Sequence, residues 1–168
     1  GTSVVWGNLA LAGVINIITA KPEARSFQVT AEAGTRDTGK LHVAASGARG
    51  PIRGGLSASY FETGGYHVVR SDLRGAVDRP VTDVYRTVDG SLVYQPSLNA
   101  QWTVGGSFYS ENQGYGTPLS TDAVRTGYIR AGGDFTTGAA NRWQVTTFVT
   151  RQNATSFFPS IAPGRQSE

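Results

Sequence analysis

The sequence predicts an all-β chain, and within that class an incomplete antiparallel transmembrane β-barrel. Three observations predict it. Beyond Pro22, apolar and polar residues alternate with a period of two in a series of short segments, the pattern of strands whose two faces meet different surroundings. The connections between these segments, rich in Gly, Pro, Asn, Asp and Ser, nearly alternate between long and short, as in outer-membrane barrels with tight turns on one side and longer loops on the other. Aromatic residues gather where such strands would meet the two membrane–water interfaces. Composition fits the same class: of 168 residues 22 are glycine, only 16% are charged, and the 39% that are hydrophobic are spread thinly, with few helical stripes. The longest near-apolar stretch, Leu9 to Ile18, is shorter than the ~18 residues that suggest a membrane-spanning helix, so strands would have to do the spanning.

Seven strands are expected. The first, Ser26 to Gly34, sets Phe27, Val29, Ala31 and Ala33 against Gln28, Thr30 and Glu32. In the second, Lys40 to Gly47, Leu41, Val43 and Ala45 oppose His42 and Ala44, and in the third, Gly54 to Thr63, Leu56, Ala58 and Tyr60 oppose Ser57, Ser59 and Phe61. The fourth, Tyr85 to Gln95, carries Leu92 and Tyr94 on one face. Alternation is clearest in the fifth, Gln101 to Glu111, where Trp102, Val104, Gly106 and Phe108 face away from Gln101, Thr103, Gly105 and Ser107. A sixth spans Val124 to Thr136, and a seventh, Arg142 to Thr155, sets Trp143, Val145 and Val149 against Arg142, Gln144, Thr146 and Thr150.

Between them, Gly64 to Val84 and Asn112 to Ala123 read as long connections, Pro96 to Asn99 and Thr137 to Asn141 as tight ones, and the short Thr35 to Gly39 as an exception to the alternation. Tyr94, Trp102, Phe135, Trp143 and Phe27 would mark one interface; Tyr60, Phe108 and Tyr128 would mark the other. Tyr128 and Phe135 differ in parity, so placing both against lipid needs a bulge, for which Gly132-Gly133 is the candidate. Phe61, Tyr109 and Phe148 have the opposite parity to their apolar neighbours, which puts them in the lumen, above the membrane, or beyond a bulge.

The start of the chain has a different texture. Val14-Ile15-Asn16-Ile17-Ile18-Thr19 has the β-branched density of a buried strand with one polar interruption, Gly7 and Gly13 bracket Asn8 to Ala12, and Pro22, which cannot donate to a ladder, closes the element. Such spacing alone is shared by many α/β cores. The ordered word Gly1-x-Ser3-x-x-Trp6-Gly7, then Ala10, then Gly13 to Thr19 and a basic residue with proline, resembles the end of the plug domain in TonB-dependent outer-membrane receptors. It departs from that family where Trp6 replaces the usual tyrosine, where Ala12 replaces a frequent glycine, and where Ala20 separates Thr19 from Lys21.

The resemblance implies that residues 1–24 are the C-terminal end of a plug domain and residues 25–168 the N-terminal strands of the barrel. Gly1, Ser3, Trp6, Gly7, Gly13, Asn16 and Thr19 match the plug signature and take a structural role. The implied function is energy-coupled uptake of a ligand such as a ferric siderophore across the bacterial outer membrane. The implied partners are outer-membrane lipid and an inner-membrane energising complex, the latter reached through a segment outside these residues. Since bacterial single-chain barrels have an even strand number, these strands are expected to belong to a longer protein whose targeting signal lies elsewhere.

No chemistry beyond this is expected, and the competing reading is a soluble β-sandwich ligand-binding module. There are no cysteines, hence neither disulfides nor thiolate metal sites, and the only histidines are His42 and His67. Glu62 and His67 at a loop mouth do not define a metal site. No nucleophile elbow or dinucleotide fingerprint occurs, since Gly114-Tyr115-Gly116 lacks its third glycine, and Asn153-Ala154-Thr155 means little as a glycosylation acceptor in a bacterial envelope. The net charge of +3 comes from scattered arginines, without the basic cluster nucleic acid would select. No catalytic residue, cofactor or metal is therefore assigned. Loop residues Tyr66, His67, Arg70, Asp72, Arg74, Asp78, Arg79 and Asp83 remain as a mixed-charge set that contacts a ligand, a neighbouring loop or solvent.

Overall fold

The computed structural model describes residues 25–138 and 141–168. They form seven strands, β1 Ser26–Gly34, β2 Thr38–Arg49, β3 Ile52–Tyr66, β4 Val81–Ser97, β5 Ala100–Tyr115, β6 Thr121–Thr137 and β7 Asn141–Phe157, with two short 3-10 turns at Ser71–Leu73 and Pro163–Arg165. All seven lie in one antiparallel sheet in sequence order, each strand hydrogen-bonded to the next. None of the described helices is long and apolar enough to cross a membrane. The plug-signature positions Gly1, Ser3, Trp6, Gly7, Gly13, Asn16 and Thr19 lie outside the described residues.

The expected strands are all present, and β1 has the expected bounds, while the others run further at one or both ends. Many of the extra residues lie in polar and glycine-containing stretches, such as Asn112 to Tyr115, that show no apolar alternation yet keep their ladder: Gln113 pairs with Asp83 on one side and Asp122 on the other. Pairing of backbone groups does not require a hydrophobic side chain, so polar strand ends are invisible to a period-two reading. The connection expected over Asn112 to Ala123 is correspondingly only residues 116–120, and that expected over Gly64 to Val84 is residues 67–80. At the opposite end the turns are residues 50–51 and 98–99, and a third connection leaves β6 at Gly138.

The anticipated bulge at Gly132-Gly133 does not exist. Register runs unbroken from Thr121↔Phe157 to Thr137↔Asn141 and from Gly114↔Thr121 to Ala100↔Phe135. Gly133 serves another purpose: a Cβ there would stand 2.6 Å from Trp102 Cε3, so the missing side chain is the space in which the indole lies. The ring also meets Phe135 with centroids 5.8 Å apart. As a result Tyr128 falls on the face opposite Phe135, paired with Ser107 and Thr150, and does not join the outer row of rings.

Two irregularities do occur, one between Tyr94 and Ser97, where the β4–β5 register shifts, and one between Thr63 and Tyr66, where the β3–β4 register shifts. Gly65 has φ of +66° there, and a Cβ would lie 1.5 Å from Val81 O. Only glycine fits. Gly65→Ala is expected to destabilise the folded protein by about 1–3 kcal/mol, combining left-handed strain with a backbone clash. Urea titration of the full-length protein checks this, and an unchanged midpoint would show that the register shift carries no strain.

Candidate functional site

Because the registers are continuous over most of the sheet, side chains sort strictly into two faces. The row Phe27, Ala45, Leu56, Gly90, Gly106, Ile129, Val149 defines one of them. The same face carries Val29, Leu41, Ile52, Val88, Leu92, Val104, Phe108 and Val145. These side chains are solvent-exposed, Ile129 at 65% and Val149 at 71%, whereas only Val77 and Val93 are buried apolar side chains among the described residues. The exposed side chains of this face are contiguous across all seven strands, an arrangement that soluble monomers rarely leave uncovered. Its limit on the turn side is a row of rings, Tyr94 paired with Trp102 and Phe135 paired with Trp143. Trp143 Nε1 donates to Thr137 Oγ1 at 3.1 Å, the usual way an indole holds its polar edge where apolar surface ends.

The other face is polar. The row Thr30, His42, Ser59, Thr87, Tyr109, Thr126, Gln152 is typical, with His42 Nδ1 2.8 Å from Ser59 Oγ. Phe61 and Tyr109, whose parity set them apart, both lie on it: Phe61 stacks on Tyr85 at 4.9 Å between centroids, and Tyr85 on Tyr109 at 6.3 Å. Phe148 shares the polar face, opposite Arg130. A pocket of about 320 Å³ opens beside the first ring of this stack, lined by Arg36, Phe61, Tyr66 and Asp83. Arg36 lies 5.8 Å from the Tyr66 ring centroid, and Asp83 Oδ1 is buried without a hydrogen-bond partner. A second, shallower trough of about 360 Å³ is floored by small residues between Asp89 and Arg130.

The mixed-charge loop set is mostly consumed locally. Arg70 donates to both carboxylate oxygens of Asp72 at 2.6 and 2.7 Å, Arg74 Nε donates to Val69 O, and Arg79 Nη1 donates to the carbonyls of Ala76 and Asp78. Asp78 is the exception in reach. Its carboxylate accepts from Arg165, Nε at 2.8 and 2.9 Å and Nη2 at 2.5 Å, and from the Gly75 amide at 2.7 Å. The Val77 amide donates to Arg165 O at 3.2 Å, the Arg79 amide to Gly116 O at 2.8 Å, and the Leu119 amide to Glu168 Oε1 at 2.8 Å. Tyr115 meets Phe158 edge to face at 5.2 Å. Residues 67–80, 116–120 and the segment after β7 are therefore one knotted rim at the loop end. Arg165 was not among the candidates, because nothing local marks a residue whose partner stands so far off in the chain.

Glu62 lies on the apolar face and accepts from the Tyr60 hydroxyl at 2.6 Å, and no group of three or more potential ligands occurs among the described residues. Searches of protein-family models and of curated proteins give no match to this chain.

The Arg165 guanidinium, helped by the Gly75 amide, holds the Asp78 carboxyl down at about 2 from its ordinary 3.8, in spite of burial. A depressed carboxylate stabilises the rim at and above its unfolded value and loses that contribution as the pH falls through its folded value. The rim is thus expected to hold at pH 5 and loosen between 3.8 and about 2. Asp78→Asn is expected to speed hydrogen exchange of the Val77 amide roughly tenfold at pH 7, the scale of one lost charge-assisted bond. Exchange mass spectrometry of the substituted protein at pH 7, and of the unsubstituted protein at pH 5 and again below 3.8 with correction for the pH dependence of intrinsic exchange, reads the two effects.

Proposed function

We propose that this chain is a membrane-spanning portion of an outer-membrane receptor that takes up a ligand such as a ferric siderophore by an energy-coupled route. The observation that carries this reading is the division of one seven-stranded antiparallel sheet into an exposed apolar face, edged by rings at the short turns, and a polar face with hydroxyls, amides and stacked tyrosines. Strands can cross a bilayer only as part of a closed barrel, because an unpaired edge leaves backbone groups unsatisfied in hydrocarbon. In this sheet β1 and β7 each pair on one side only. Closure then needs further strands, and the polar face becomes the wall of a wet lumen. The word at residues 1–22 adds the identity: a plug that ends where the barrel begins, filling the lumen and coupled to an inner-membrane energising complex through a segment outside these residues.

On this reading the pocket beside Phe61, Tyr66 and Asp83 faces the lumen near the loop rim. The scattered positive charge serves neither nucleic acid nor catalysis, and no catalytic, cofactor or metal residue is assigned.

Recovery of the full-length protein from outer membranes, with uptake of a labelled ferric siderophore abolished in a deletion strain, tests the proposal. A protein recovered soluble from the periplasm or medium would support a β-sandwich binding module instead. Two finer results are expected. Ile129→Arg, in the middle of the apolar face, should cost about 2–4 kcal/mol in vesicle refolding, while Tyr128→Arg on the adjacent polar position should cost far less. Residues 1–168 expressed alone should give no closed, heat-resistant pore, and a monodisperse barrel from them would overturn the open-sheet account.

A further inference from the structure

The apolar face carries one group of charges that the receptor reading does not use. Arg86 on β4 and Arg125 on β6 share the row Tyr60, Arg86, Ser110, Arg125, Asn153, and Arg151 on β7 lies in the next row, opposite Gly127. All three are exposed, and among the described residues none forms an ion pair. The sole carboxylate on this face among the described strands, Glu62, is bound to the Tyr60 hydroxyl. The Tyr60 ring itself lies 5.5 Å from Arg86 Cζ.

Their level is set by the strands. Trp143 and Arg151 are both on the apolar face and eight residues apart, so about 27 Å separates them along β7, or about 20 Å along the normal at a barrel tilt near 40°. That is close to the height of the apolar band of a barrel wall, so the arginines stand at its far edge, on the loop side. Adjacent strands are about 4.8 Å apart, which puts Arg86 and Arg125 roughly 10 Å from one another, with Arg151 one strand further.

Directly beneath them the face is hollow. Gly90, Gly106 and Gly127 floor a trough of about 490 Å³ walled by Phe108, Ile129 and Val149, and Arg151 lies at its lip. The hollow is not a by-product of tight backbone packing at Gly127, where a Cβ would meet nothing within 4 Å. An apolar slot open to the hydrocarbon and ending in three cations against a single carboxylate, Glu62 in the row next to Arg86, keeps an excess of positive charge and matches a molecule that has an acyl chain and a phosphate at one end.

We propose that this trough and Arg86, Arg125 and Arg151 form a binding site for a phosphate-bearing lipid of the outer leaflet, with an acyl chain in the glycine-floored slot and the phosphate among the guanidinium groups. The site rests on the outward orientation proposed above. Arginine suits it because its planar fork pairs with phosphate oxygens at two points and stays charged beside hydrocarbon.

The test uses the full-length protein, extracted from membranes, stripped of lipid in detergent, and offered equal amounts of phosphatidic acid and diacylglycerol, which has the same acyl chains and no phosphate, with retained lipid counted by native mass spectrometry. Phosphatidic acid should be retained in preference. Each of Arg86→Gln, Arg125→Gln and Arg151→Gln should weaken it by roughly fivefold, the scale of one arginine at an anionic membrane surface. Gly127→Leu, which keeps every arginine but fills the slot, should weaken it as well. Arg49→Gln, on the same face at the turn end, should leave it unchanged, and inorganic phosphate should not displace it. Equal retention of the two lipids, retention unaffected by the triple arginine variant or by Gly127→Leu, or displacement by inorganic phosphate would overturn the site. These outcomes are read on protein whose recovery from outer membranes has already been checked, so a soluble protein would overturn the receptor reading and an inserted protein without lipid preference the lipid site alone.

Discussion

The structure depends on an antiparallel ladder that runs unbroken over most of each strand pair. From β4 through β7 each residue keeps its partner over runs of a dozen or more pairs, and because a strand's side chains alternate with period two, that fixed register decides the face of every residue in it. A slip of one residue between β5 and β6 would turn Ile129 and Ala131 to the polar side and bring Arg130 to the apolar one. Surroundings that differ so sharply on the two faces penalise such slips heavily. The same ladder satisfies the backbone without help from a packed interior, which explains how a sheet with almost no buried apolar side chains can be regular over strands of up to 17 residues.

The two ends of the sheet are finished by different physics. At the turn end, connections of a few residues join rings that lie flat on neighbours: Trp102 over Gly133, Trp143 beside Phe135 and tied to Thr137. At the loop end the connections are held by charge and backbone bonds, with Asp78 at the centre because its carboxylate collects Arg165 and the Gly75 amide together. The sheet therefore ends in apolar rings on one side and in a cross-linked polar rim on the other. The arginine group lies between these regimes, where the apolar face gives way to the rim.

Glycine is used in three physically separate ways. Gly65 supplies a positive φ and room for Val81 O, Gly133 makes room for an indole, and Gly90, Gly106 and Gly127 leave a groove on the apolar face. Composition alone registers only that glycine is plentiful. It cannot separate conformation from clearance, and that is why Gly132-Gly133 reads as a bulge in the sequence and proves to be the bed of Trp102.

Alternation of side-chain polarity is a local property that survives without knowledge of partners, and it suffices to read the all-β class, the strands and the two faces from the chain. Leu56, Val104 and Val145 could be assigned to one face from their immediate neighbours alone. Strand ends such as Asn112 to Tyr115 could not, since their membership rests on hydrogen bonds to β4 and β6 that leave no trace in polarity. Which strands are neighbours is settled in three dimensions, and with it the gathering of Arg86, Arg125 and Arg151 around a hollow and the meeting of Asp78 with Arg165. Residues far apart in the chain meet through the register of intervening strands, and no local pattern encodes that sum.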